Sequence, residues 1–151
     1  AWITAGMLDL FDLAEMPKPV EDFLRGVLVA QVNALLPLQT SSGAWRTLLD
    51  DPTSYEEISA TAGIGYGLLK GHRLGLGGQA WQAAGLKAAQ AVMRNIDETG
   101  TVLNVSYGTR MGHDLQFYRD IPIQPTGYGQ ALSILCLSEA LRHADAGEQA
   151  A

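Results

Sequence analysis

Residues 54–75 read S-Y-E-E-I-S-A-T-A-G-I-G-Y-G-L-L-K-G-H-R-L-G, and this stretch decides the fold. Its first half is small and apolar, with no polar face wide enough for water, so the pattern predicts a helix buried on all sides. Ser54 followed three residues later by Glu57 has the form of a capping box, which places the helix start at Ser54. Five glycines between Gly63 and Gly75 each cost about 1 kcal/mol in a helix interior. A sequence keeps them there when neighbouring backbones approach too closely for a side chain.

Working outward, the other segments alternate in character. Trp2 to Leu13 has helical apolar spacing nearly all round and is ended by Pro17 and Pro19. Val20 to Leu36 is amphipathic, as is Ala80 to Ile96, while Gly127 to His143 is again apolar. Residues 37–52 carry turn chemistry, and 101–107 (T-V-L-N-V-S-Y) predicts a small hairpin or extended loop. Thr4-Ala5-Gly6, Thr61-Ala62-Gly63 and Thr126-Gly127 stand near the starts of the three apolar helices, a repeat of about 60 positions. Buried helices alternating with half-exposed ones predict two concentric layers: an all-α toroid with three inner and two outer helices. Six such pairs need about twice this length, so the expectation is the C-terminal half of one α/α-barrel domain over residues 1–143, with 144–151 a disordered tail.

The chain has 151 residues, 47% hydrophobic and 17% charged, with net charge −6. Charged residues fall below the usual quarter, as expected if part of the surface is covered by something outside this sequence, here the missing N-terminal half of the barrel. Ten scattered Lys and Arg form no basic stripe, which argues against nucleic acid. No apolar run approaches the roughly 20 residues of a spanning helix, and nothing reads as a signal peptide, so the expectations are no membrane and a cytoplasmic location. The three histidines have no partner at a metal-ligand interval, so neither metal nor cofactor is expected. Cys136, between Leu135 and Leu137, reads as a buried small hydrophobe. Gly63-x-Gly65-x-Gly67 lies inside a helix and is explained by close packing, not by phosphate binding. Asn104-Val105-Ser106 fits a glycosylation sequon and is discounted.

Residues 54–62, followed by Tyr66-Gly67-Leu68-Leu69-Lys70-Gly71 and Arg73-Leu74-Gly75, closely resemble the unsaturated glucuronyl and rhamnogalacturonyl hydrolases of glycoside hydrolase families 88 and 105. Ala1-Trp2, Asp50-Asp51-Pro52, Val105-Ser106-Tyr107-Gly108-Thr109 and Tyr128-Gly129-Gln130-Ala131 look like the same families, in the same order. The resemblance implies a six-fold α/α barrel that hydrates the C4=C5 bond of a 4,5-unsaturated uronic acid at the non-reducing end of an oligosaccharide. It also implies that the general-acid aspartate lies before Ala1, so no catalytic residue is expected in this sequence, and that an arginine precedes Trp2. Trp2 matches the family tryptophan of the sugar site; a core tryptophan is the open alternative.

Trp45, Tyr55 and Tyr128 stand in loops or first turns leading to inner helices and are further substrate-binding candidates, with Gln130 and Ser59 as hydrogen-bonding ones. Asp51 before Pro52 reads as a turn and Glu57 as a cap in preference to acid and base. His113, Arg110 and Arg119 share one loop, where an arginine would fork a uronate carboxylate or serve as ordinary surface charge. A non-catalytic half toroid binding a glycan or protein is the competing function. An α/α-barrel epimerase would need clustered histidines in the lumen.

Overall fold

The computed structural model describes residues 1–149, with side chains through residue 144. It is built of helices: α1 (Trp2–Leu13), α2 (Lys18–Leu35), a 3-10 turn (Leu36–Leu38), α3 (Ile58–Arg73), α4 (Gln79–Met93), α5 (Leu115–Arg119) and α6 (Gly127–Gln149). α3 is central and packs against α1, α4 and α6, while α1 packs against α2. The expected division follows: α1, α3 and α6 form one row, and α2 and α4 cover it.

The core lies in two lobes around α3. Ala62, Tyr66, Ala89, Val92, Leu132 and Cys136 join α3, α4 and α6. Leu8, Leu28, Val32, Trp45, Ile64, Leu68 and Trp81 join α1, α2, α3 and α4. Each fully buried Leu or Val contributes about 1.5–3 kcal/mol. The glycines are explained by what surrounds them. A Cβ on Gly65 would lie 2.8 Å from Ala88 Cβ and 3.0 Å from Cys136 Sγ; one on Gly67 would lie 2.8 Å from Thr4 Cγ2. On α4, Gly85 plays the same part, 2.6 Å from Leu69. Gly75 ends α3 in the left-handed region at φ +74°, and Leu76 N–H closes back to Gly71 O. Cys136 is enclosed as expected, and burial pushes its thiol up to about 12.

Lys70 is a buried charge that the apolar reading of α3 passed over; it is 5% exposed. Its ammonium donates to Asp9 at 2.8 Å, pairs with Asp12 at 3.0 Å and reaches Tyr66 Oη at 3.2 Å. Burial opposes its charge, but these bonds outweigh that and hold Lys70 above its ordinary range. Arg73 beside it pairs with the enclosed Glu139 of α6. The far end of the helix row is therefore tied by charge.

Three features differ from the expectations, and one is kept. α3 begins at Ile58 with Glu57 as N-cap, because the Ser54 hydroxyl is engaged with Leu48 O and Asp51 O in the preceding loop. Residues 101–107 run as the expected extended loop, pinned by the isolated antiparallel bridges Ile96–Val102 and Ser106–Ile123. α5, capped by Asp114, was not foreseen. α6 continues past His143 to Gln149, over most of the expected tail, and residues 150–151 lie outside the described residues.

The two helices that flank α3 carry exposed apolar side chains. α1 exposes Trp2, Ile3, Leu10 and Leu13, and α6 exposes Ile134, Leu135 and Leu141. The glycine packing predicts opposite outcomes for one substitution at two sites. Gly67→Ala forces a shift against Thr4 and is expected to lower stability by about 1–3 kcal/mol. Gly26→Ala on α2, where nothing lies within 4 Å of the new methyl, is expected to raise it by about 0.5–1 kcal/mol. Denaturant midpoints of the two variants check the pair.

Candidate functional site

The N-terminal ends of α1, α3 and α6 line one cavity, and the Glu57 carboxylate ties the start of α3 to the 104–108 loop. Glu57 is buried, and its Oε1 accepts from Ser106 N–H at 2.9 Å and from the Ser59 hydroxyl at 2.9 Å. Oε2 accepts from Ala60 N–H, the donor that the start of α3 leaves free. The cap of α3 thus also fixes the 104–108 loop. Asn104 sits in the left-handed region at φ +57° and turns its carbonyl to accept from Ile58 N–H at 3.0 Å. From α6, the Tyr128 hydroxyl donates to Ser106 O and accepts from Gly108 N–H at 2.9 Å. Three chain segments meet in one hydrogen-bonded knot.

Beside the knot lies an open cavity of about 390 Å³ lined by Trp2, Glu57, Ser59, Ala60, Ser106, Gly108, Thr109, Tyr128 and Leu132. A second hollow of about 450 Å³ shares Glu57, Ala60, Ser106 and Thr109 with it and extends toward Gln31, Arg46 and Tyr118. Trp2 is 66% exposed at the rim, an indole face open to an apolar sugar surface. The Thr109 hydroxyl makes no hydrogen bond among the described residues and is free for a ligand.

The six candidate binding residues separate. Trp2 and Tyr128 line the cavity, although the Tyr128 hydroxyl is engaged in the knot. Trp45 instead stands in the core at 0% exposure, its indole N–H donating to Leu35 O at 2.8 Å and its backbone N–H to Thr61 Oγ1. Gln130 ties the 100–102 turn to α6, donating to Gly100 O and accepting from Val102 N–H. Tyr55 is half-buried away from the cavity, with its hydroxyl enclosed and unpartnered among the described residues. Ser59 faces the cavity but its hydroxyl is held by Glu57.

The acidic pairs have structural partners. Asp51 accepts from the Thr53 hydroxyl and N–H and from Arg119 at 2.6 Å. The Thr53 bonds, with Arg119 behind them, pull its carboxyl down to about 2. Glu56 accepts from the Ser42 hydroxyl at 2.8 Å. His72 and His143, far apart in sequence, have ring centroids 5.3 Å apart, so two of the three histidines meet after all. Among the described residues no group of three His, Cys, Asp or Glu is placed to hold a metal. The sequence showed Glu57 as a cap; its second role, binding Ser106 across 49 positions, had no local signal.

Two measurements test the knot. Glu57→Gln turns an amide against N–H donors and is expected to lower stability by about 2–3 kcal/mol, and Tyr128→Phe by about 1–2 kcal/mol. A Glu57→Gln midpoint equal to wild type removes the knot from the account. Asp51 titrates lower folded than unfolded, so its contribution is present above about pH 4 and fades as pH falls toward about 2. Arg119→Ala is expected to raise the Asp51 midpoint in an NMR titration, yet leave it below the ordinary value because both Thr53 bonds remain.

The comparisons with known proteins agree with this architecture. The Glycosyl Hydrolase Family 88 model matches residues 1–144. The unsaturated rhamnogalacturonyl hydrolase YesR of Bacillus subtilis (strain 168) is 33% identical over 142 residues, covering 93% of this chain and 40% of YesR. A crystal structure described as a possible GH105 family member from Salmonella enterica is 44% identical, with a TM-score of 0.91 over 95% of this chain and 38% of that one. A second so described, from Klebsiella pneumoniae, is 46% identical with a TM-score of 0.90, over 95% and 38%. The chain therefore spans about two fifths of the length of these relatives. The matches do not bear out the expectation that it is the C-terminal half of a barrel; they fix its share of the whole. With three apolar helices in a row, two covering them and the family model matched from residue 1 to 144, the chain belongs to glycosyl hydrolase family 88.

Proposed function

We propose that the protein containing this sequence releases a 4,5-unsaturated uronic acid from the non-reducing end of an oligosaccharide by hydrating its C4=C5 bond. The observation that carries the reading is the exposed Trp2 ring at the rim of a cavity whose opposite wall is fixed by Glu57, Ser106 and Tyr128. The printed name of YesR supports the substrate class. A cytoplasmic setting, as expected from the sequence, stays part of the proposal.

In this chemistry a proton is delivered to C4 and water adds at C5. The resulting hemiketal opens to a ketone, and the hemiacetal left at C1 expels the aglycone as an alcohol. The residues described here bind and orient. Trp2 stacks against the sugar ring, Thr109 offers a free hydroxyl, and the knot keeps the cavity wall rigid so that little ordering is needed on binding. The acidic side chains of the mouth, Asp51, Glu56 and Glu57, are each bound by donors, which supports structural roles for them and leaves the proton donor to the aspartic acid that the family resemblance implies elsewhere in the protein.

The test is a kinetic comparison in the complete protein. Trp2→Ala is expected to lower kcat/KM on an unsaturated disaccharide by about 10- to 100-fold, an aromatic stacking contact of roughly 1.5–3 kcal/mol. The readout is loss of the ultraviolet absorbance of the conjugated double bond. Wild-type protein that leaves this absorbance unchanged overturns the proposal.

A further inference from the structure

The loop from Ser106 to Ile123 builds a third hollow, of about 450 Å³, lined by Tyr107, Arg110, Phe117, Asp120, Ile121 and Pro122. It neighbours the Trp2 cavity, and Gly108 and Thr109 line both.

The loop is prebuilt. Tyr107 N–H donates to Pro122 O at 2.8 Å, Gln124 N–H to Val105 O at 2.9 Å, and Gly108 N–H to Tyr128 Oη at 2.9 Å. Its far side is fastened by Arg119 to Asp51, and Phe117 packs edge-on against Tyr118. On this fixed frame Tyr107 is 60% exposed. The two arginines of the loop differ: Arg119 is paired, whereas Arg110 makes no hydrogen bond or ion pair among the described residues. Asp120 also faces the hollow, with Oδ1 accepting from Gln116 at 2.8 Å. An exposed aromatic ring beside an unpaired guanidinium suits a sugar that carries a carboxylate, stacked on the ring and forked by the arginine. Asp120 lines the same hollow with a charge that repels a carboxylate, so the fit to an acidic sugar depends on the Arg110 guanidinium.

We infer that this hollow is the site of the sugar next to the scissile bond and that Arg110 and Tyr107 select an acidic one, a uronate, over a neutral one. The inference rests on the proposed cleavage of unsaturated uronyl saccharides for its orientation, with the unsaturated sugar at Trp2 and the aglycone at Tyr107.

The test uses the complete protein and two disaccharides with the same unsaturated uronic acid, one joined to galacturonate and one to rhamnose. Arg110→Gln is expected to lower kcat/KM about 10- to 100-fold on the galacturonate substrate and less than about 3-fold on the rhamnose one. Tyr107→Ala is expected to weaken both. Equal effects of Arg110→Gln on the two substrates overturn the inference. If wild-type protein turns over neither, the cleavage reading fails, and the hollow is judged by calorimetric binding of saturated digalacturonate. Binding that weakens at least 10-fold in Arg110→Gln keeps the acidic-sugar site; binding that is absent or unchanged removes it.

Discussion

One carboxylate at the start of α3 decides whether the mouth of this fold has a shape. Helix termini leave backbone donors without partners, and most caps satisfy one of them locally. Glu57 satisfies Ala60 and, with its other oxygen, takes the N–H of Ser106 from a loop that would otherwise have no reason to lie there. Tyr128 then reads the position of that loop from α6. Buried acceptors left without donors are expensive, so each member holds the others in place. The cavity beside Trp2 inherits its wall from this arrangement, and the outer hollow inherits its floor.

The opposite end of the helix row is fixed by a different device. Lys70, Asp9, Asp12, Arg73 and Glu139 tie α1, α3 and α6 through charge at the end away from the mouth. Between the two ends the glycines let the backbones close in. The apolar faces of α1 and α6 are complete in composition but lack a covering layer in these residues, which fits a chain that spans two fifths of its relatives.

Much of this was legible in the sequence, and the rest failed for identifiable reasons. Alternation of apolar and amphipathic helices gave the two layers, because periodicity reports burial and burial follows layer. The glycines of α3 announced close packing before any neighbour was known. The site was read less well. Trp45 stands in a loop and Gln130 in the first turn of α6, but such a position does not say which way a side chain turns, and both are taken by backbone partners. The start of α3 moved because the Ser54 hydroxyl found partners in its own loop, a competition that a capping-box pattern does not encode. Contacts across long intervals, such as Arg119 with Asp51 and His72 with His143, have no local signature at all.

The glycine seam also constrains how such a sequence can drift. At Gly65, Gly67 and Gly85 the space for a side chain is already occupied by Ala88, Thr4 and Leu69 respectively. No larger residue can enter on one side unless its neighbour shrinks in step, and Ala88 can shrink only to glycine. Change along this seam therefore proceeds by paired exchange across helices, while the solvent faces of α2 and α4 vary one position at a time.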